Sequence, residues 1–195
     1  MNVEGIVLAA GYSKRTGLFK MGLKLKDKTI IQQTIDGMSK YCSRVIVVGG
    51  YRIEKLKRLI GKHKNIQVIF NPDYKKGMFT SVKQGIKHIN CERFFVLPGD
   101  LPFVTGNVYE KLLKAYGDII IPVYKGKKGH PVLINSTLKN EILEEKDDSS
   151  LSRFIKRKGY EIVETNESGI LKDIDTLEDY RREKNNLLKG GLDET

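Results

Sequence analysis

Long apolar runs are missing from this chain. No stretch of its 195 residues approaches the roughly eighteen uninterrupted apolar residues of a membrane helix. The opening MNVEGIVLAAG sets an acid ahead of a short apolar run, so no signal peptide is expected either. Cysteine is scarce: Cys42 and Cys91 are the two present, each within ordinary helix or strand patterning. That usage suits a reducing, cytoplasmic setting better than a disulfide scaffold. The three histidines, His63, His88 and His130, form no zinc pattern with them, because the H-x-x-C spacing of His88 and Cys91 lacks a second ligand pair. Repeats and low-complexity linkers are absent too. A chain of this length buries one substantial core, so residues 1–188 read as a single domain and 189–195 as a flexible tail.

Acidic residues are also in deficit, 24 against 35 Lys and Arg, for a net charge of +11. Such a balance admits nucleic acid, acidic lipid or a highly phosphorylated small molecule as partner. The lysines are spread along helical segments such as 52–64 rather than interleaved with aromatics as in single-strand binders. Most of them read as solvated faces. A nucleic-acid-binding module is therefore the less favoured reading, and neither a nucleic-acid nor a membrane partner is expected.

What is present is alternation. Apolar runs at 3–9, 44–48, 67–70, 94–97 and 118–122 predict strands, and helical spacing at 29–41, 53–60, 77–89 and 108–116 predicts helices between them. The later third is less regular, with strands expected at 131–134 and 160–164 and helices at 138–145 and 150–158. A last helix is expected to start at Thr176 as N-cap, with Asp179 three residues on. The pattern predicts an α/β fold with a mainly parallel sheet and helices on both faces. Ligands of such sheets sit beyond the carboxyl ends of the strands, so the loops after Ala9, Phe70 and Leu97 should converge.

The first of those loops is the most informative. Residues 8–20, LAAGYSKRTGLFK, turn abruptly from apolar to small, hydroxylated and basic. Glycine, hydroxyls and the charges of Lys14, Arg15 and Lys20 together suit phosphate. The segment is not a dinucleotide fingerprint, since Gly11 and Gly17 are its only glycines, and not a Walker A loop, since Leu18 and Phe19 follow Gly17. The third loop, 97–104 (LPGDLPFV), sets Asp100 between two prolines at a strand end, where a carboxylate is placed to hold nucleotide-borne Mg²⁺. The second, 71–81 (NPDYKKGMFTS), runs a turn into a helix start, which suits either ordinary capping by Thr80 or Ser81 or an anion or base edge against free N–H groups.

These segments resemble the ordered motifs of the molybdenum cofactor cytidylyltransferase group of the MobA-like NTP transferase family. LAAGYSKRTGLFK is similar to its L-A-A-G-x-S-x-R-x-G-x-x-K signature, 71–81 to N-P-x-x-x-x-G-M-x-x-S, and 99–104 to G-D-x-P-x-V. Residues 129–134 (GHPVLI) and 173–180 (DIDTLEDY) resemble G-x-P-V-L-F and D-I-D-T-P-E-D-Y. The resemblance implies a three-layer Rossmann-like nucleotidyltransferase fold, with Leu8, Ala9, Ala10, Gly11, Ser13, Arg15, Lys20, Asn71, Gly77, Ser81, Pro98, Gly99 and Asp100 at the nucleotide and Met78 packing beneath. It implies Arg15, Lys20 and Asp100 in catalysis, with Lys24 in reserve for Lys20, and Asp100 with Asp175 on Mg²⁺. It further implies CTP as the donor, a phosphorylated acceptor such as molybdopterin, and a molybdoenzyme or cofactor-insertion partner. LAAG rather than LAGG points to cytidylyl rather than guanylyl transfer. For His130, packing, surface and catalytic roles stay open.

Two departures bear on the acceptor. Where the family often carries G-D-x-G-x-R-x-L-L, residues 147–155 read DDSSLSRFI, and Thr16 stands where methionine is common. A sugar phosphate or another small phosphorylated acceptor therefore stays open. The 147–155 segment also reads as a capped helix with Leu151, Phe154 and Ile155 facing the core.

Overall fold

The computed structural model describes residues 2–12, 18–146 and 148–189. In chain order its elements are β1 (Val3–Ala9), β2 (Lys24–Leu25), β3 (Lys28–Thr29), α1 (Ile30–Ser39), β4 (Arg44–Gly49), α2 (Ile53–Ile60), β5 (Ile66–Phe70), α3 (Met78–Ile86) and β6 (Arg93–Pro98). There follow α4 (Gly106–Lys114), β7 (Ile119–Tyr124), β8 (Lys127–Lys128), β9 (Val132–Asn135), α5 (Lys139–Glu144), α6 (Leu151–Lys158), β10 (Glu161–Glu164) and α7 (Leu177–Lys189).

One sheet organises them, in the order β10-β7-β9-β6-β1-β4-β5, with β8 paired to β7. The pairs of β1 with β4 and β6, of β4 with β5 and of β10 with β7 are parallel. Strand β9 runs antiparallel to both its neighbours, β6 and β7. The mainly parallel sheet expected from the sequence is thus present, with two reversed strands, β9 and the short β8 antiparallel to β7, that the alternation did not signal.

The central strands are apolar on both faces because both are covered. Along β1, Val3, Val7 and Ala9 join one core with Val45, Val47, Phe95 and Leu97. The alternate residues Ile6 and Leu8 join a second with Ile46, Val48, Phe94 and Val96. Helices α1, α2 and α4 cover the first face through residues such as Ile35, Leu56 and Leu112. Helices α3, α5 and α6 cover the other through Val82, Ile142 and Phe154. In α6, Phe154 and Ile155 are buried as the helical spacing predicts, while Leu151 is half-buried against the same core.

Helix ends follow local chemistry. Thr29 and Gln32 form a reciprocal capping box at the start of α1. At the start of α7 the Thr176 hydroxyl accepts from the Asp179 N–H at 3.0 Å and Asp179 Oδ2 accepts from the Thr176 N–H at 2.9 Å. The predicted N-cap is therefore in place. Helix α7 and the β2–β3 hairpin enclose a third small core of Leu25, Ile30 and Ile174, held also by the Tyr180 hydroxyl donating to the Lys24 carbonyl at 2.8 Å.

Candidate active site

Four strand ends are laced together at the carboxyl edge of the sheet. The Gly99 N–H donates to the Leu8 carbonyl at 2.9 Å, joining the ends of β6 and β1, and the Asn71 N–H donates to the Gly49 carbonyl at 2.9 Å, joining β5 to β4. The Tyr51 N–H reaches the Ala10 carbonyl at 3.3 Å. The loops after Ala9, Phe70 and Leu97 converge as the topology demands. Gly99 is tightly enclosed: a Cβ there would stand 3.0 Å from Ile31 and 3.1 Å from the Leu8 carbonyl, so its neighbours would have to give way. Its own carbonyl accepts from the Thr34 hydroxyl at 3.0 Å, so the turn that presents Asp100 is held from two sides.

Lys20 faces Asp100 across this edge. It opens a short 3-10 turn, Lys20–Gly22, and its neighbours Phe19 and Met21 are buried in the first core, which leaves the lysine aimed at the strand ends. Its Nζ lies 2.5 Å from Asp100 Oδ2 and 3.0 Å from Asp175 Oδ1. The side chains of Lys20, Asp100 and Asp175 are 10%, 16% and 33% exposed. Burial alone pulls the Lys20 ammonium pKa down, but the two carboxylates outweigh it and hold the pKa above the usual lysine value. Lys24, the reserve candidate, is exposed on β2.

Asp175 reaches the site from far along the chain. The Ile174 N–H donates to the Asp100 carbonyl at 3.0 Å, and the Ile174 side chain is fully buried in the third core. A backbone bond and an apolar anchor thus place the 173–175 segment beside the β6 turn. Asp173 stands close by, its pKa raised by desolvation, by Asp175 and by Asp100. The sequence motif contained Asp173, and its D-x-D spacing was the available signal, yet only Asp175 was singled out there. Two carboxylate oxygens converging on one cation position form the hard oxygen donor set that a divalent ion such as Mg²⁺ takes with phosphate and water oxygens, so these residues fit the metal that the motifs imply.

The other predicted residues sort into two groups. Leu8, Ala9 and Ala10 are buried, Gly11 is exposed at the end of β1, and Pro98 and Gly99 form the floor beside Asp100. Asn71 and Ser81, each 2% exposed, face one another: Asn71 Nδ2 donates to the hydroxyls of Thr80 and Ser81 at 2.9 Å, and Asn71 Oδ1 accepts from the Asp73 N–H at 3.0 Å. Asn71 therefore shapes the entry to α3. Gly77 is the α3 N-cap with φ of +123°, a conformation that L side chains rarely adopt. Met78 corrects the sequence reading: expected to pack, it is 65% exposed, because the helix turns it out toward a cavity on the α3 face. Ser13 and Arg15 lie outside the described residues, as do Lys14, Thr16, Asp147 and the predicted tail beyond 189.

Two features had no sequence signal beyond their residue types. The Tyr12 ring, past the end of β1, packs tilted between Tyr51 and Tyr74, which follow β4 and β5, with centroids 5.2 Å apart in each pair. His130, between β8 and β9, has a buried Nδ1 without a hydrogen-bond partner among the described residues. Burial holds its pKa below the usual histidine value, partly offset by the Val96 backbone and by the charge of Asp100.

Comparison with known proteins identifies the family and the fold. The model of the MobA-like NTP transferase domain matches residues 5–163. The chain is 32% identical over 179 residues to the molybdenum cofactor cytidylyltransferase of Escherichia coli, covering 91% of this chain and 93% of that one. It is 28% identical over 131 residues to a probable molybdenum cofactor guanylyltransferase of Natranaerobius thermophilus, covering 64% and 62%. Among solved structures, a nucleotidyl transferase from Methanothermobacter superposes with a TM-score of 0.83 at 20% identity over 97% of this chain and 99% of that one. A family match over most of the length, on a sheet whose carboxyl edge gathers Lys20, Asp100 and Asp175, places the chain in the MobA-like NTP transferase family of nucleotidyltransferases.

Proposed function

We propose that the chain transfers CMP from CTP to a phosphorylated acceptor of the molybdopterin class, with Mg²⁺ held by Asp100 and Asp175. The observation that carries this reading is the meeting of Lys20, Asp100 and Asp175 at the ends of β1 and β6. The choice of base and acceptor is supported by the LAAG loop and by the identity to the Escherichia coli cytidylyltransferase.

In such a reaction an acceptor phosphate oxygen attacks the α-phosphorus, the Pα–O bond to pyrophosphate breaks, and the leaving oxygen keeps the bonding electron pair. All partners are anionic, so the site's work is to suppress repulsion and stabilise the charge that develops. Lys20 and Arg15 are assigned to donate to the triphosphate oxygens, and Asp100 and Asp175 would hold the ion. Gly11 and Ser13 are assigned to the phosphates, and the α3 entry shaped by Asn71, Gly77 and Ser81 to the nucleoside. Bound Mg²⁺ would neutralise phosphate charge and favour departure of pyrophosphate. A phosphate nucleophile is already ionised near neutral pH, so no general base is needed.

A pyrophosphate-release panel of four nucleoside triphosphates against molybdopterin and a sugar 1-phosphate tests the reading. CTP with molybdopterin should give the highest turnover, dependent on added Mg²⁺. Turnover with the sugar phosphate but not molybdopterin would reject the acceptor, and turnover with GTP above CTP would reject the base.

A further inference from the structure

Positive charge is concentrated on α2 and the loop that follows it. Residues 52–64 carry six Lys and Arg against a single acid, Glu54, and so hold nearly half of the chain's net charge of +11. Glu54 is already paired with Lys57 at 2.8 Å. Lys62 and Lys64, in the loop from α2 to β5, are exposed, and their ammonium groups bond no partner among the described residues. With Lys57 and His63 they wall an open groove of about 500 Å³ whose floor is Ile66 and Val68 of β5.

That groove runs beside an open sheet edge. Among the described residues β5 is the last strand in the sheet and pairs with β4 alone. The Asn65 carbonyl accepts from the Val45 N–H at 2.8 Å and the Asn71 N–H donates to the Gly49 carbonyl at 2.9 Å. By the alternation of a parallel ladder the odd-numbered residues therefore face β4, while Ile66, Val68 and Phe70 turn their main chain outward. The Ile66 N–H is taken up by the His63 carbonyl at 3.4 Å. The Val68 and Phe70 N–H groups and all three outward carbonyls meet no partner among the described residues. The strand, IQVIF, contains neither charge nor proline, and Phe70 is 46% exposed. Proteins ordinarily blunt or cover such an edge. The opposite edge is blunted: Glu161 and Glu164 bracket the four residues of β10, and the Glu164 carbonyl accepts from Lys111 Nζ at 3.3 Å. Along β5 the lysines flank the strand and do not stand in it.

We infer that the β5 edge docks an extended acidic segment of a partner protein, which adds a strand beside β5, lays an apolar side chain on Ile66 and Val68 and sets its carboxylates against Lys62 and Lys64. A polypeptide strand both donates to and accepts from the open β5 groups, whereas the phosphates of a nucleic acid only accept. A second copy is opposed by charge. Antiparallel pairing of two β5 edges has its two-fold axis perpendicular to the sheet, so both α2 helices would lie side by side on one face with the same excess of cations. The groove lies at the amino end of β5, opposite the strand ends that gather Lys20, Asp100 and Asp175. Docking there is independent of the proposed reaction.

The probe is a labelled decapeptide alternating Glu and Val, followed by fluorescence anisotropy with the wild type and with Lys62→Glu/Lys64→Glu. Three comparison probes accompany it: alternating Lys and Val, alternating Glu and Pro, which keeps the charge but does not lie as a strand, and a ten-nucleotide oligothymidylate. The wild type should bind the Glu-Val peptide with a Kd of about 100 μM or tighter. Binding should weaken about tenfold or more for each comparison probe and for the double variant. Amide hydrogen exchange on the wild type adds a readout that charge attraction alone does not move: saturating Glu-Val peptide should slow exchange at the Val68 and Phe70 N–H groups about tenfold or more. Equal binding of the Glu-Pro peptide or the oligonucleotide, unprotected Val68 and Phe70, or no binding at about 1 mM overturns the inference. A wild-type dimer in sedimentation with Val68 and Phe70 already protected overturns it too, because the occupant is then a second copy.

Discussion

Replacing Lys20 with methionine removes one charge and leaves two carboxylates facing each other. In the wild type a single ammonium is shared by Asp100 at 2.5 Å and Asp175 at 3.0 Å, and Asp173 adds a third negative charge to their surroundings. Stripping one partner from a fully buried pair costs about 3–5 kcal/mol, while exposed pairs contribute about 0–1 kcal/mol. With side chains 10%, 16% and 33% exposed, Lys20→Met falls between these limits, at about 2 kcal/mol. For a chain of this size that is a Tm lower by about 4–8 °C. Two further readings separate this electrostatic account from lost packing. Asp100→Asn added to Lys20→Met should restore part of the loss, since it removes the repulsion. Added Mg²⁺ should raise the Tm of the variant more than that of the wild type, because the ion no longer competes with the ammonium. Activity should fall about 10²–10³-fold. A Lys20→Met protein melting within about 1 °C of wild type, with no recovery in the double variant and no larger response to Mg²⁺, would refute the argument.

Other consequences can be measured independently. Asn71→Ala leaves the Asp73 N–H and two buried hydroxyls short of a partner and should cost about 2–3 kcal/mol, read by urea unfolding. Ile174→Ala opens a hole in the third core without changing charge; it should cost about 2–4 kcal/mol and weaken Mg²⁺ binding because Asp175 loses its anchor, whereas Ile142→Ala on the opposite face should cost stability alone. Asp175→Asn should fold normally and raise the Mg²⁺ concentration needed for half-maximal turnover about tenfold or more. His130 has a native pKa below its unfolded value of about 6.5, so as pH falls from about 7 to about 5 the unfolded state takes up a proton before the native state does. Wild-type stability relative to His130→Asn should decline across that window; a pH-independent difference would contradict the assignment.

The repeating strands and helices were legible because burial on both sheet faces forces continuous apolar runs, and a helix covering such a face forces spacing of three and four. The reversal of β9 was not, since Val132–Asn135 carries the same apolar character whichever way it runs, and its direction is set by pairing with β6 and β7. The Lys20–Asp100–Asp175 meeting joins residues 80 and 155 positions apart, beyond any local pattern. The ordered motifs named all three residues, but placed Lys20 at the triphosphate and did not signal its pairing with the carboxylates. Met78 was misread because its motif places it beside a helix start, and neither spacing nor hydrophobicity says that this turn faces a cavity rather than the core. His130 stayed ambiguous because a lone histidine declares its role only through what surrounds its nitrogens. The Tyr12, Tyr51 and Tyr74 row had no signature at all, because it depends on three strand ends lying side by side.

The bond from the Ile174 N–H to the Asp100 carbonyl has a consequence for biosynthesis. Strands β1, β4, β5 and β6 are all translated by residue 98, so this half of the sheet can pair while the ribosome is still making the rest. The carboxylate pair cannot form until residue 175 has left the exit tunnel. A nascent chain arrested before that point would carry the β1 loop and the β6 turn without Asp175 beside them, and the Lys20–Asp100–Asp175 cluster would be completed late and at once.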